Sequence, residues 1–269
     1  MTAALHELER VEHRVLGAIR CIDATTLAPI DEALDVQAAG ARLLRNRSGL
    51  YVITAWSRLE PHAAAFDAPP AAPPIGSEPL TIEIRDRRGR YLPRRVTAAL
   101  PRNADPAAAT EGGSLFQPID VPMYPSASAP VGANWVAVRV AATEIVSGDA
   151  LGGALLRVVA DGRVLALGLT DWRGEGLVPV AGVPVTTWST QPDAVVVSEI
   201  AASLECCFEA SAGTRTAAAD VRAGRPPRLL PLPDPQALEA ARASLPLAAT
   251  PIVLAAGRVV TVAIAVPLP

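Results

Sequence analysis

The sequence predicts an all-β protein: two tandem β-sandwich domains with one short helix in the C-terminal region. Three observations predict it. Short apolar runs are punctuated by Gly, Pro, Asn and Asp along most of the chain, the pattern of strands and turns. Proline, 26 of 269 residues, is dense in two stretches that separate strand-rich blocks. One order of elements occurs twice: strand, polar turn, Ala-Leu strand, Asn/Asp-x-x-Gly turn, strand.

Residues 1–13 read as an N-terminal arm, with Leu5, Leu8 and Val11 at helical spacing among charges. They lack the basic start and apolar stretch of an export signal. No apolar run is long enough for a transmembrane helix. Cytoplasmic synthesis and assembly, without direct membrane insertion, is the expectation.

The first domain is placed at 14–100. Its strand candidates are 14–22, 30–36, 40–45 and 50–56, separated by turns at Asp23-Ala24-Thr25-Thr26 and Asn46-Arg47-Ser48-Gly49. Residues 61–79 read as an extended Pro-rich insertion, because proline cannot donate to a ladder. Residues 80–85 and 91–100 flank a hairpin turn, Asp86-Arg87-Arg88-Gly89. Residues 101–134, rich in Pro, Ala and Ser, read as a linker.

The second domain is placed at 135–269. Strands are expected at 135–143, 154–160, 163–170 and 176–180, with Asp161-Gly162 the strongest hairpin signal in the chain. Residues 194–209 alternate with period two and favour a long strand, although their alanines and glutamates leave a helix open. A helix is predicted at 235–245, capped by Asp234 and started by Pro235. The last strand, 257–266, is apolar on both faces and reads as a central buried strand.

The composition excludes several chemistries. A chain of this length can bury about 70% of its unfolded surface, enough for a large core. Its net charge of −3 disfavours nucleic-acid binding through phosphates. All 24 basic residues are arginine, so there is no Schiff-base or P-loop lysine. Cys21, Cys206 and Cys207 read as buried thiols, since adjacent strand residues point to opposite faces and a 206–207 bridge would be strained. His6, His13 and His62 read as satisfied or solvated. Asp31, Glu32 and Asp35 beside a turn read as a solvated loop, because a calcium-loop spacing is absent. No catalytic, cofactor-binding or metal-ligating residue is assigned, and no cofactor is expected.

The repeated order has defined offsets. Residues 30–34 answer 151–155 at 121, and Asn46-Arg47-Ser48-Gly49 answers Asp171-Trp172-Arg173-Gly174 at 125. This order resembles the transthyretin-like, carboxypeptidase-regulatory-like group of β-sandwich modules. Gly168-Leu169-Thr170-Asp171-Trp172-Arg173-Gly174-Glu175 matches that group's T-D-x-x-G turn, whereas residues 24–30 lack the glycine of its first turn. The resemblance covers roughly 12–100, 135–210 and the last strand, and implies fold rather than activity. The enzymes of this broad fold are not matched. The chain lacks the expected hydrolase C-terminus, and Tyr51, Tyr91 and Tyr124 have no histidines at the spacing of an iron site.

Arginines crowd one hairpin: Arg85, Arg87, Arg88, Arg90, Arg94 and Arg95. Two readings are open, a solvated hairpin that discourages edge pairing and a docking patch for an acidic partner. Phe116 and Tyr124, apolar islands of the Pro-rich stretch, are further docking candidates. Ser114-Leu115-Phe116-Gln117-Pro118, Val121-Pro122-Met123-Tyr124-Pro125-Ser126 and Gly89-Arg90-Tyr91-Leu92-Pro93 look similar to accessory structural proteins of phage tails and contractile injection systems. That resemblance implies a non-enzymatic adaptor bound to other protein subunits of a large assembly, with homo-oligomerisation open. The competing readings are a stand-alone ligand-binding or envelope-associated sandwich protein and an unrecognised hydrolase.

Overall fold

The computed structural model describes residues 14–65, 70–184, 187–188, 195–196 and 199–269. The arm at 1–13, with His6 and His13, lies outside the described residues, as do 66–69 of the Pro-rich insertion and part of 194–209. Strand dominates and helix is sparse, so the protein is all-β.

The first seven strands are β1 (Gly17–Asp23), β2 (Asp35–Ala38), β3 (Ala41–Arg45), β4 (Tyr51–Trp56), β5 (Glu78–Arg85), β6 (Arg94–Leu100) and β7 (Ile119–Met123). They form sheets ordered β3-β4-β1-β7 and β2-β5-β6. A short helix, α1 (Glu60–Ala64), follows β4 and replaces the start of the expected extended insertion. Pro61 is compatible with it, because a first-turn residue needs no N–H partner.

The remaining strands are β8 (Val136–Glu144), β9 (Ala150–Gly152), β10 (Leu155–Ala160), β11 (Arg163–Leu169), β12 (Glu175–Val180), β13 (Thr187–Trp188), β14 (Val195–Val196), β15 (Ile200–Cys207), β16 (Thr214–Thr216), β17 (Leu247–Leu254) and β18 (Val259–Val266). Two short helices, α2 (Ala218–Arg222) and α3 (Pro235–Ala241), accompany them. One sheet runs β12-β8-β9-β16 with β18 parallel to β8, and another runs β11-β10-β15-β17. Asp161 and Gly162 both take positive φ, as a type I′ hairpin requires. Residues 200–207 are strand, in accord with their period-two pattern.

By contacts the chain divides into two compact units. One comprises Met1–Arg20, Ala38–Leu80 and Ala98–Ile119, and the other Cys21–Gln37, Thr81–Thr97 and Asp120–Pro269. In the second unit, inward rows from two sheets meet in one sandwich-like core. Val138, Val140, Val178 and Ile264 come from one sheet, and Leu156, Leu204, Cys206 and Leu254 from the other. Each large aliphatic side chain there contributes roughly 1.5–3 kcal/mol by leaving water.

The sequence repeat reappears in backbone geometry. Ile19 pairs with Tyr51 and Gly17 with Ile53, while their counterparts Val140 and Gly176, and Val138 and Val178, pair in the same register. The Asx turns match as well. Asn46 N–H donates to Leu50 O (2.9 Å) and Gly49 N–H to Asn46 O (3.1 Å). Asp171 N–H donates to Glu175 O (2.8 Å) and Gly174 N–H to Asp171 O (2.9 Å).

β7 lies within the stretch 101–134 expected to be a linker, and two predicted elements of the second half also differ from expectation. β18 is not central: among the described residues β8 is its only ladder partner, and Val259, Thr261, Ala263 and Ala265 face solvent. Its outward residues are small or β-branched, so apolar composition did not require burial. The predicted 235–245 helix is α3 followed by a 3-10 turn at Arg242–Ser244. Asp234 Oδ1 accepts from the N–H groups of Gln236 and Ala237, as a cap should. Among the described residues, no helix is long and apolar enough to cross a membrane.

Candidate docking site

The arginine hairpin belongs to the second unit and is built from β5, the Asp86 turn and β6. Asp86 organises it. Its Oδ1 accepts from Arg88 N–H (2.9 Å) and its Oδ2 from Arg90 N–H (3.0 Å). Gly89 closes the turn at φ +68°. Burial opposes ionisation of Asp86, but donors from Arg88, Arg90 and Tyr91 outweigh it and hold the carboxyl below its usual range.

The exposed arginines are paired within the chain. Arg85 and Arg95 lie 3.2 and 3.7 Å from Glu83. Arg87 reaches Asp35 at 3.4 Å. Arg88 and Arg90 approach Glu32 at 3.8 and 2.5 Å, and Arg90 also meets Asp86. The Arg90 hydrogen bond holds the Glu32 carboxyl below its ordinary value. Five guanidiniums thus face four carboxylates, and little net positive charge remains for an acidic partner. Glu32 and Asp35, candidates for a solvated loop, are the hairpin's counter-ions. Among the described residues, no group of three His, Cys, Asp or Glu side chains could hold a metal.

Arg94 and Tyr124 correct the sequence reading. Arg94 is 0% exposed and Tyr124 is 3% exposed, so neither can meet a partner. Arg94 Nη1 donates to Pro122 O (2.6 Å), Nε to Arg95 O (3.1 Å) and Nη2 to Gln236. Its guanidinium lies 5.7 Å from the Tyr124 ring centroid. Burial lowers its pKa from the ordinary arginine value. Tyr124 belongs to a cluster with Leu92, Leu155, Leu169, Cys207 and Leu238. Phe116 remains exposed, in the other unit.

Beside the hairpin is a cleft of about 430 Å³, lined by Asp86, Tyr91, Ser126, Asp171, Arg173 and Leu230 among others. Tyr91 Oη donates to Asp23 Oδ2 (2.9 Å). Burial and that carboxylate raise the Tyr91 pKa. A groove of about 500 Å³ adjoins it and shares Ala127, Ser128 and Arg173. The T-D-x-x-G turn, legible in sequence as a fold motif, therefore also lines a cleft. That second role depends on chain segments distant in sequence.

The outward face of the β11-β10-β15-β17 sheet is divided. At one end, α3 covers it, placing Leu238 against Leu155, Leu169 and Cys207. At the middle, Arg157 pairs with Glu205 and with Glu239 (2.8 Å). At the other end the rows Val164–Val159–Ser203–Pro251 and Ala201–Val253 carry no charge. Val164 is 43% and Val253 52% exposed. The cysteines fit the buried-thiol reading: none is in a disulfide, and burial pushes Cys206 up to about 12 and Cys207 to about 11. No known family model, curated protein or solved structure matches the chain.

Proposed function

We propose that the chain consists of two tandem β-sandwich modules and serves as a non-enzymatic structural or adaptor subunit of a phage-tail-like or contractile injection particle. It is a baseplate, collar or fibre-adaptor type of part, assembled in the cytoplasm. The tandem reading is supported by the shared register of β1–β4 and β8–β12.

The observation that carries the function is the open, uncharged end of the β11-β10-β15-β17 sheet. An apolar row left uncovered on one end of a sheet, when a helix covers the other, suits a protein–protein contact. The self-paired arginine hairpin, at the α3-covered end, is not an electrostatic anchor in this reading. The test is recovery from the native source. Negative-stain microscopy and mass spectrometry of sedimented material should find the chain at fixed stoichiometry in a large particle. Val253→Arg should abolish that incorporation while the purified chain stays folded. Recovery of the wild-type chain only as a free monomer overturns the proposal.

A further inference from the structure

The first unit contains a cavity of about 450 Å³, within the size range of small-molecule sites. His62, carried on α1, lines it and is only 4% exposed. Its Nδ1 has no hydrogen-bond partner among the described residues, and neither does the buried Nη1 of Arg14, which lines the same cavity. Such orphaned groups cost roughly 1–3 kcal/mol each when buried, more for a charged one, so two of them on residues that line one cavity require a reason.

Arg102 adds a second guanidinium. Its Nε donates to Ser114 O (2.8 Å), and Nη2 donates to Gly112 O (2.6 Å) and Gln117 O (3.2 Å). These acceptors are neutral carbonyls, so they fix the group without neutralising it. Gly17 leaves the space for its stem: a Cβ there would lie 3.2 Å from Arg102 Cδ. Burial lowers the Arg102 pKa, as expected for a cation without a carboxylate against it. The carboxylate that lines the cavity, Asp105, accepts from Ala107 N–H (2.9 Å) at the start of a 3-10 turn. Among the described residues, two guanidiniums against one carboxylate leave one unit of positive charge on the arginines, matched by a monoanion.

The walls are apolar. Pro70, Pro73, Ile75 and Pro101 line the cavity, and Gly76 N–H pins their loop by donating to Pro101 O (2.9 Å). We propose that this cavity binds a small organic monocarboxylate with an apolar body. The Arg14 guanidinium and His62 hold the carboxylate, and the prolines and Ile75 pack against the body. This site is independent of the assembly proposal.

The test uses the full chain and benzoate as probe, with benzamide and inorganic phosphate as comparisons. Calorimetry should show saturable benzoate binding at millimolar concentration or below, with neither comparison compound competing. Arg14→Gln and His62→Phe should each weaken binding about tenfold or more, whereas Arg85→Gln, on the exposed hairpin, leaves it unchanged. Arg14 is only partly buried, so Arg14→Gln should keep the fold, checked by circular dichroism. Absence of saturable benzoate binding overturns the proposal. So does undiminished binding in Arg14→Gln, or phosphate binding as tightly as benzoate.

Discussion

The two copies of the repeat keep the same register in their first strand pair and part at the third strand. In the first copy β3 stays beside β4, with Leu43 opposite Ile53 and Arg45 opposite Tyr51. In the second, a single bridge, Thr170 to Gly176, remains of that pairing, and β11 runs along β10 instead. The positions matching Leu43 and Tyr51 are Gly168 and Gly176. A Cβ on Gly168 would lie 2.7 Å from Val178 Cγ2, and one on Gly176 would lie 2.5 Å from Leu156 Cδ1. Bare backbone at two points lets β11 approach β12 closely as it leaves for the other sheet. A strand's sheet can thus be decided by two missing side chains while the turn chemistry stays constant.

The largest expected effect tests how differently the two copies use one turn. Gly49 and Gly174 close equivalent turns at φ +79° and +74°. An alanine at either site bears left-handed strain of about 1–2 kcal/mol. At Gly49 the nearest obstacle is the tip of the Arg45 side chain at 3.4 Å, ordinary van der Waals contact, so Gly49→Ala should cost little beyond that strain. At Gly174 the new Cβ would lie 2.3 Å from the Ala142 backbone oxygen, which is held in the β8 ladder. Gly174→Ala should therefore lose a further 1–3 kcal/mol or so, about 2–5 kcal/mol in all. Urea denaturation of the two variants measures this, and equal losses would break the comparison. Next in size is Gly176→Ala, which should cost roughly 1–3 kcal/mol because Leu156 and the Leu169 carbonyl crowd the site. Relief by a second change, Leu156→Val, would assign the cost to that contact. No relief would place it elsewhere.

The Asx turns were legible because their hydrogen bonds are local: an Asx residue and a glycine three positions on are sufficient to specify them. Burial of β6 was half legible. Its pattern places Arg94 on the same face as Val96, Ala98 and Leu100, all buried, yet the charge of Arg94 suggested the surface. The carbonyl of Pro122, the Tyr124 ring, the side chain of Gln236 and the Asp234 carboxylate, all remote in sequence, make that burial tolerable. The exposure of β18 was illegible for the converse reason: strand composition does not say whether a second neighbour exists. The burial of His62 and the lack of a partner for its Nδ1 among the described residues were not legible, since its surroundings come from residues near 14, 70 and 102 that no spacing connects.

The smallest expected effect is confined to part of the pH scale. Asp23 and Glu144 end the first strands of the two copies and cap matching turns. Asp23 uses one oxygen for both N–H groups, Thr25 at 2.9 Å and Thr26 at 2.8 Å, and leaves the other to Tyr91. Glu144, one methylene longer, splits the work: Oε1 accepts from Val146 N–H (2.7 Å) and Oε2 from Ser147 N–H (2.5 Å). The Ser147 side chain and these two N–H groups hold its carboxyl down at about 2, against an ordinary 4.5. A carboxyl lowered on folding stabilises the fold above its unfolded pKa and loses that contribution as pH falls through the folded value. Glu144→Gln should then melt below the wild type at neutral pH, because a donor amide would face an N–H group. The gap should narrow from about pH 4.5 downward and nearly close near pH 2. Asp23→Asn keeps Oδ1 for both N–H groups and offers Nδ2 to Tyr91 Oη, so its cost at neutral pH should be the smaller, about 0.5–1 kcal/mol. Melting curves of the three proteins from pH 7 to pH 2 decide it, and a Glu144→Gln gap that stays constant down to pH 2 removes the assigned cause.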